Sequence, residues 1–136
     1  MEHERAREFI RAHHRAVLAT KRSDGLPQLS PVQVVVDNAG RVVTTTRETA
    51  IKTKNLARDP HASLCVMTDQ YYGQWIQAEG TAEIIHLPEA MELLIYFWRT
   101  VYGGHPDWDD YRKSMTRQQR VIVAITLTRA GPDRSG

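Results

Sequence analysis

Apolar and polar residues alternate along this chain with two different periods, and the changes of period mark out its elements. From Glu4 to His14, Ala6, Phe9, Ile10 and His13 fall on one face, so the spacing predicts a short amphipathic helix within residues 1–14. Ala16-Val-Leu-Ala-Thr20 follows as an apolar strand and Lys21-Arg-Ser-Asp-Gly25 as a turn. Gln28 to Val36 resumes extended structure, so residues 16–36 read as a hairpin. Pro31 interrupts that run; proline donates nothing to a ladder, which marks an edge or a bulge.

Asp37-Asn-Ala-Gly40 makes the next tight turn and Arg41 to Thr46 a third strand, giving three antiparallel strands in succession. Thr49 is placed to cap a helix beginning near Ala50, and Asp59-Pro60 ends it. Two further strands run from Ala62 to Thr68 and from Trp75 to Ile85, separated by a loop with Tyr71, Tyr72 and Gly73. Pro88 opens a helix whose stripe of Ala90, Leu93, Leu94, Phe97, Trp98 and Val101 must pack on something. Gly103-Gly-His-Pro106 closes it, Asp107 caps a second helix through Met115, and Arg120 to Thr128 is the last strand. Residues 130–136 have the composition of a loose tail.

Six short strands without regular strand–helix alternation predict a mainly β (α+β) fold: an antiparallel barrel, closed or half-closed, with peripheral helices. At 136 residues this is a single domain, residues 1–136, burying roughly two thirds of its unfolded surface. It is too short for separate cofactor and substrate domains, so a site for a large ligand calls for a partner subunit. A composition of 41% hydrophobic and 25% charged residues belongs to a packed globular protein.

The formal charge of +2 gives nucleic-acid binding little support, although Lys21, Arg22, Arg47, Lys52, Lys54 and Arg58 can still form a local basic face. Cys65 is the only cysteine; it forms no intrachain disulfide and reads as a buried small apolar residue. No signal region and no run of roughly 20 apolar residues is present, so a cytoplasmic protein without a membrane segment is expected.

The corner from Thr44 to Arg58 carries the most chemistry. A strand ending in hydroxyls hands over to a helix start with free N–H groups and the ammonium groups of Lys52 and Lys54, which suits a phosphate. The same segment also reads as an ordinary solvated helix. The histidines lack metal-ligand spacing, so no metal site is expected, and no serine or cysteine sits in a nucleophile setting. His105 with Asp107, Asp109 and Asp110 reads as helix capping in preference to acid–base machinery. Catalysis here therefore needs a cofactor to carry the chemistry, and Tyr71, Tyr72 and Trp75 are aromatics that either stack on a planar ring or pack into a core or interface.

Val17-Leu-Ala-Thr20, Asp24-Gly-Leu-Pro-Gln-Leu-Ser-Pro-Val32, Lys52-Thr-Lys-Asn-Leu56, Asp59-Pro60, Ala78-Glu-Gly-Thr81 and Trp108-Asp-Asp-Tyr-Arg112 stand in the order found in one superfamily. In this set the chain resembles the pyridoxamine 5′-phosphate oxidase-like split β-barrels that bind flavin mononucleotide (FMN). It is most similar to the small coenzyme F420 (deazaflavin)-dependent oxidoreductases of actinobacteria. The resemblance implies a homodimer with two cofactor sites at its interface and hydride transfer between reduced F420 and an unsaturated or electrophilic small molecule.

It places Lys52 and Lys54 at the cofactor phosphate and the nearby acidic tail, with Thr45 and Thr46 beside them, and counts Asn55 among the cofactor-binding residues; a groove for an acidic F420 tail would be lined by Lys52, Lys54, Arg58 and Lys21 or Arg22. It places Pro27, Gln28, Ser30, Pro31 and Val32 against the ring, and Gln74, Trp75 and Ala78 as the partner subunit's contribution. The branch's arginine just before the lysine pair is absent, since Thr49-Ala50-Ile51 stands there. No catalytic acid is identified; Tyr71, Tyr72 and water remain open. Two alternatives share the site: an FMN-dependent enzyme, and a non-catalytic carrier of F420 or haem.

Overall fold

The computed structural model describes residues 1–132. In chain order the elements are α1 (His3–Ala12), β1 (Arg15–Lys21), β2 (Pro27–Gln33), β3 (Val35–Val36), β4 (Val42–Arg47), α2 (Ile51–Arg58), β5 (His61–Met67), β6 (Trp75–Ile85), α3 (Met91–Tyr102), α4 (Trp108–Arg117) and β7 (Arg120–Gly131). All pairings are antiparallel, in the order β2-β1-β5-β6-β7-β4-β3.

The extended run from Gln28 to Val36 is two strands where one was expected. β2 and β3 form opposite edges of the sheet although only Val34 separates them; the Val34 N–H still bonds the His14 carbonyl at 2.8 Å, continuing the β1–β2 register, and the chain crosses to β4 immediately after it. Two edges joined by one residue require the sheet to curl on itself, which makes a half-closed barrel of seven strands. The expected succession of three paired strands is corrected accordingly: β1 lies between β2 and β5, and β4 between β7 and β3. Pro31 sits on edge strand β2, where its missing N–H leaves no ladder bond unmade.

Alternation along β1 and β5 points Ala16, Leu18, Leu64 and Val66 into the barrel, where α1 adds Ala6 and Ile10. The outer face over β3, β4 and β7 is covered by α3 and α4 through Leu94, Ile95, Phe97, Tyr111 and Met115. Residues 121–125 are consequently buried on both faces, so β7 reads as an unbroken apolar run instead of an alternating one. A register shift between Glu79 and Gly80 bends β6 against β7, and a Cβ on Gly80 would lie 2.1 Å from the Thr126 carbonyl oxygen.

Four local expectations are corrected. Ala50, not Thr49, is the N-cap of α2 and no side chain caps it; Thr53 donates its hydroxyl to the Arg47 carbonyl at 2.7 Å, stitching the turn together. The helix expected from Pro88 begins only at Met91, after a turn. Cys65 faces outward, opposite Val17 and Gln77, and is half-buried. Residues 130 and 131 of the expected tail complete β7, where Ala130 is buried opposite Ala78; 133–136 lie outside the described residues. No helix of the described residues is long and apolar enough to cross a membrane.

Candidate functional site

A cleft of about 310 Å³ opens where edge strand β2 approaches β4, the start of α2 and the paired helices α3 and α4. Pro31, Val32 and Gln33 come from β2, Thr44 and Thr45 from β4, Lys52 from α2, Trp98 and Tyr102 from α3, Tyr111 from α4 and Arg120 from the first position of β7. One wall is therefore aromatic and the opposite rim cationic. A larger groove of about 470 Å³ lies between α3 and the β3–β4 turn, but its charges are of both signs and Asp37 already holds Arg41 at 2.9 Å.

The cations of the cleft, Lys52 and Arg120, have no such partner, and neither has Arg47, which stands outside the cleft opposite Arg120 in the β4–β7 register. Among the described residues neither Arg47, Lys52 nor Arg120 takes part in an ion pair. Glu48 in the adjoining depression reaches His86 at 3.5 Å instead. Burial lowers the Lys52 ammonium below the usual lysine range, and the nearby Arg120 charge lowers it further. Burial also lowers Arg120, and Arg47 adds to that shift. Arg120 is oriented by Gln118, whose Oε1 accepts from its Nε at 2.9 Å.

The aromatic wall is held by its own contacts. The Trp98 ring lies 4.5 Å from Tyr102 and 5.4 Å from Tyr111, while His105 stands 5.1 Å from Trp98. Tyr111 donates its hydroxyl proton to the Leu94 carbonyl at 2.8 Å, and burial pushes its pKa up to about 12 against the pull of Arg120. The Nδ1 of His105 accepts from the Asp107 N–H at 3.0 Å.

Of the residues singled out in the sequence, the cleft gathers Pro31, Val32, Thr45 and Lys52. Thr45 donates its hydroxyl to the Val121 carbonyl at 3.0 Å, so toward a ligand it offers only an acceptor. Thr46 is buried at 4% exposure. Lys54 is exposed and outside the cleft, because two residues along a helix rotate the side chain by about 200°. Asn55 is buried; its amide donates to Thr20 at 3.1 Å and its carbonyl accepts from Arg58 at 3.1 Å, a bond set that ties α2 to β1.

Pro27 and Gln28 stand at the far end of β2, opposite Lys21 and Thr20, and Ser30 faces Leu18 with a buried hydroxyl that has no partner among the described residues. Gln74 and Trp75 are exposed at the start of β6, whereas Ala78 is 1% exposed and its methyl group belongs to the barrel core. The Tyr71 and Tyr72 rings meet at a tilt of 53° with centroids 4.5 Å apart in the exposed loop, and neither lines the cleft. Sequence reasoning missed Gln33, Trp98, Tyr102, Tyr111 and Arg120 as lining groups. Arg120 left a signal, being the one charge at the head of the apolar run 121–125. Among the described residues no group of three His, Cys, Asp or Glu side chains is placed to hold a metal.

The pyridoxamine 5′-phosphate oxidase family model matches residues 2–131 of the chain. A conserved hypothetical protein from Mycobacterium tuberculosis is similar with a TM-score of 0.78 and 26% identity, over 100% of this chain and 92% of that one. An F420 reductase is similar with a TM-score of 0.71 and 20% identity, over 91% and 94% of the two chains. A haem storage protein from Vibrio cholerae has the same fold, with a TM-score of 0.71 and 15% identity over 94% and 92%.

Proposed function

The chain belongs to the pyridoxamine 5′-phosphate oxidase family and has its split-barrel fold, and on that premise we propose that it is an F420-dependent oxidoreductase. Its substrate is an unsaturated or otherwise electrophilic small molecule. The observation that carries the reading is the convergence of Pro31, Val32 and Thr45 with a half-buried Lys52 that has no acidic partner among the described residues. A partly desolvated ammonium without a counter-charge is unfavourable in the free protein and becomes favourable when an anion docks. The residues present fit a phosphorylated ring cofactor.

When bound, the deazaflavin ring supplies or accepts hydride at its C5. The protein's share is positioning: Pro31 and Val32 form an apolar floor under a flat ring, and Trp98 and Tyr111 form an aromatic side wall that excludes water. At about 310 Å³ the cleft stands near the lower end of the roughly 300–1,000 Å³ usual for ligand sites. It takes a ring system and its nearest phosphate, and a second subunit is needed to cover the rest. Val17, Leu29, Cys65 and Trp75 line the outward face of β1, β2, β5 and β6 for that homodimer, and Leu29 is 61% and Trp75 48% exposed. Tyr111 is a poor proton source, because its O–H points at the Leu94 carbonyl and burial holds the proton on the phenol.

One observation favours FMN as the second reading. Of the cations expected to line a groove for the acidic F420 tail, Lys52 and Lys54 are in no ion pair among the described residues, but Lys21 pairs with Asp59 at 3.9 Å, Arg22 pairs with Asp24, and Arg58 bonds the Lys21 carbonyl and Asn55. Fluorescence titration with F420 and with FMN across ionic strength separates the two, since only a tail contact adds a strongly salt-sensitive advantage for F420. Oxidation of reduced F420 by a panel of enones and quinones then tests turnover. Tight binding of F420 with no turnover makes the protein a carrier, and tighter binding of FMN without a salt-sensitive gain for F420 overturns the F420 assignment.

A further inference from the structure

Arg47 and Arg120 occupy directly opposed positions in the β4–β7 register. Like charges facing each other across a ladder destabilise it, and here neither finds a carboxylate among the described residues. Lys52 and Arg120 line one cleft, so three cations meet within a single corner. Two hydroxyls of this corner are committed: Thr45 donates to the Val121 carbonyl and Thr53 to the Arg47 carbonyl. Gln118 fixes Arg120 through Nε, and among the described residues the two terminal nitrogens have no partner. A guanidinium anchored by Nε with its far edge free presents a two-pronged donor, the geometry that phosphate oxygens accept.

Resting on the cofactor reading above, we propose that Arg120, backed by Arg47, is the second arm of the anion site facing Lys52, and that this trio selects a ring ligand bearing a phosphate ester over the same ring without one. Lys52 contributes a point charge from α2, and Arg120 the directional bonds from β7. The arrangement keeps an electrostatic penalty in the free protein that the ligand's phosphate relieves.

The test compares wild type with Arg120→Gln, Arg120→Lys and Lys52→Gln, using FMN, riboflavin, F420 and inorganic pyrophosphate as probes and the apo Tm as control. Arg120→Gln is expected to weaken FMN or F420 by roughly tenfold to a hundredfold, the loss of one or two charge-assisted bonds, and to leave riboflavin unchanged. Its apo Tm is expected to equal or exceed that of wild type, because a like-charge pair has been removed. Arg120→Lys is expected to recover part of the affinity. Equal losses for FMN and riboflavin, or unchanged FMN binding in Arg120→Gln beside a loss in Lys52→Gln, overturn the proposal while leaving the cofactor reading standing. If neither flavin nor F420 binds wild type, yet pyrophosphate raises its Tm and not that of Arg120→Gln, the anion arm stands and the cofactor reading falls. No response of wild type to any probe overturns both.

Discussion

The phenol of Tyr102 donates a 2.6 Å hydrogen bond to the side-chain oxygen of Gln33, tying the last turn of α3 to edge strand β2 at the cleft. Tyr102 is 55% exposed, and Gly103 and Gly104 beyond it have open space around them. The bond spans the two sides of the cleft, α3 on one and β2 on the other, and so bears on how closely they approach.

Replacing Tyr102 by Phe removes that bond and keeps the ring against Trp98 at 4.5 Å. At an exposed position the change in stability is expected to stay at or below about 1 kcal/mol. Association and dissociation rates of the cofactor, followed by stopped-flow fluorescence, are both expected to rise. Unchanged rates would show that the Tyr102 tie does not control entry.

Lys52 gives a pH dependence with a definite sign. Its pKa in the folded chain lies below the ordinary 10.5 because burial and Arg120 both disfavour the charged form. The unfolded chain therefore holds that proton to higher pH, and the apo protein gains stability as pH rises through the folded pKa toward 10.5. Cofactor binding runs the opposite way, because the ammonium is what holds the anion. Affinity is expected to fall on the alkaline side, starting at a lower pH than for an exposed lysine, and Lys52→Arg is expected to carry the fall to higher pH. Titrating Kd against pH in the two proteins checks this.

Gly80 is held by close approach, not by an unusual φ. An added methyl group would meet the Thr126 carbonyl oxygen at 2.1 Å and the Ile125 side chain at 2.8 Å, and backbone cannot step aside as a flexible side chain can. Gly80→Ala is expected to destabilise the barrel by about 3 kcal/mol, the upper part of the usual range for overpacking, measured by urea unfolding. Gly25→Ala meets nothing within 4 Å, but its φ of +88° makes it a milder, purely conformational control.

The helix ends show how far local sequence reaches. Asp107 reads as a cap in the sequence and is one: its carboxylate accepts from the Asp110 N–H at 3.1 Å. Thr49 carries the same signal, yet the tight turn from Arg47 gives Ala50 the capping position. Asp107→Ala is expected to cost about 1 kcal/mol of stability, and Thr49→Ala nearly nothing, by thermal unfolding. The strand pattern was legible wherever one face meets the core, as in β1 and β5.

Strand order was not legible, because the break at Val34 depends on closure of the whole sheet and leaves no mark in the residues flanking it. The cleft divides in the same way. Lys52 and Pro31 stand out through local chemistry. Arg120 and the Trp98–Tyr111 wall reach the cleft only by long-range packing of α3 and α4 on β7. Asn55, a cofactor-binding residue by resemblance, donates its amide to Thr20, a contact that no spacing in the sequence announces.

The outward face of β1, β2, β5 and β6 provides the last prediction. Leu29 projects there opposite Ala19, Met67 stands opposite Trp75, and α3 and α4 cover a different part of the sheet. An exposed apolar face of this kind on a small domain marks an interaction surface. A homodimer formed through it would bring a second chain up to Pro31, which belongs both to this face and to the cleft. Leu29→Asp places a charge on that face, at its β2 edge, without touching the barrel interior, so the chain is expected to keep its circular dichroism spectrum while light scattering reports the mass of one chain instead of two. Cofactor affinity should fall with it, since the cleft would lose its outer cover. A dimeric Leu29→Asp protein with unchanged affinity would place the interface elsewhere on the sheet.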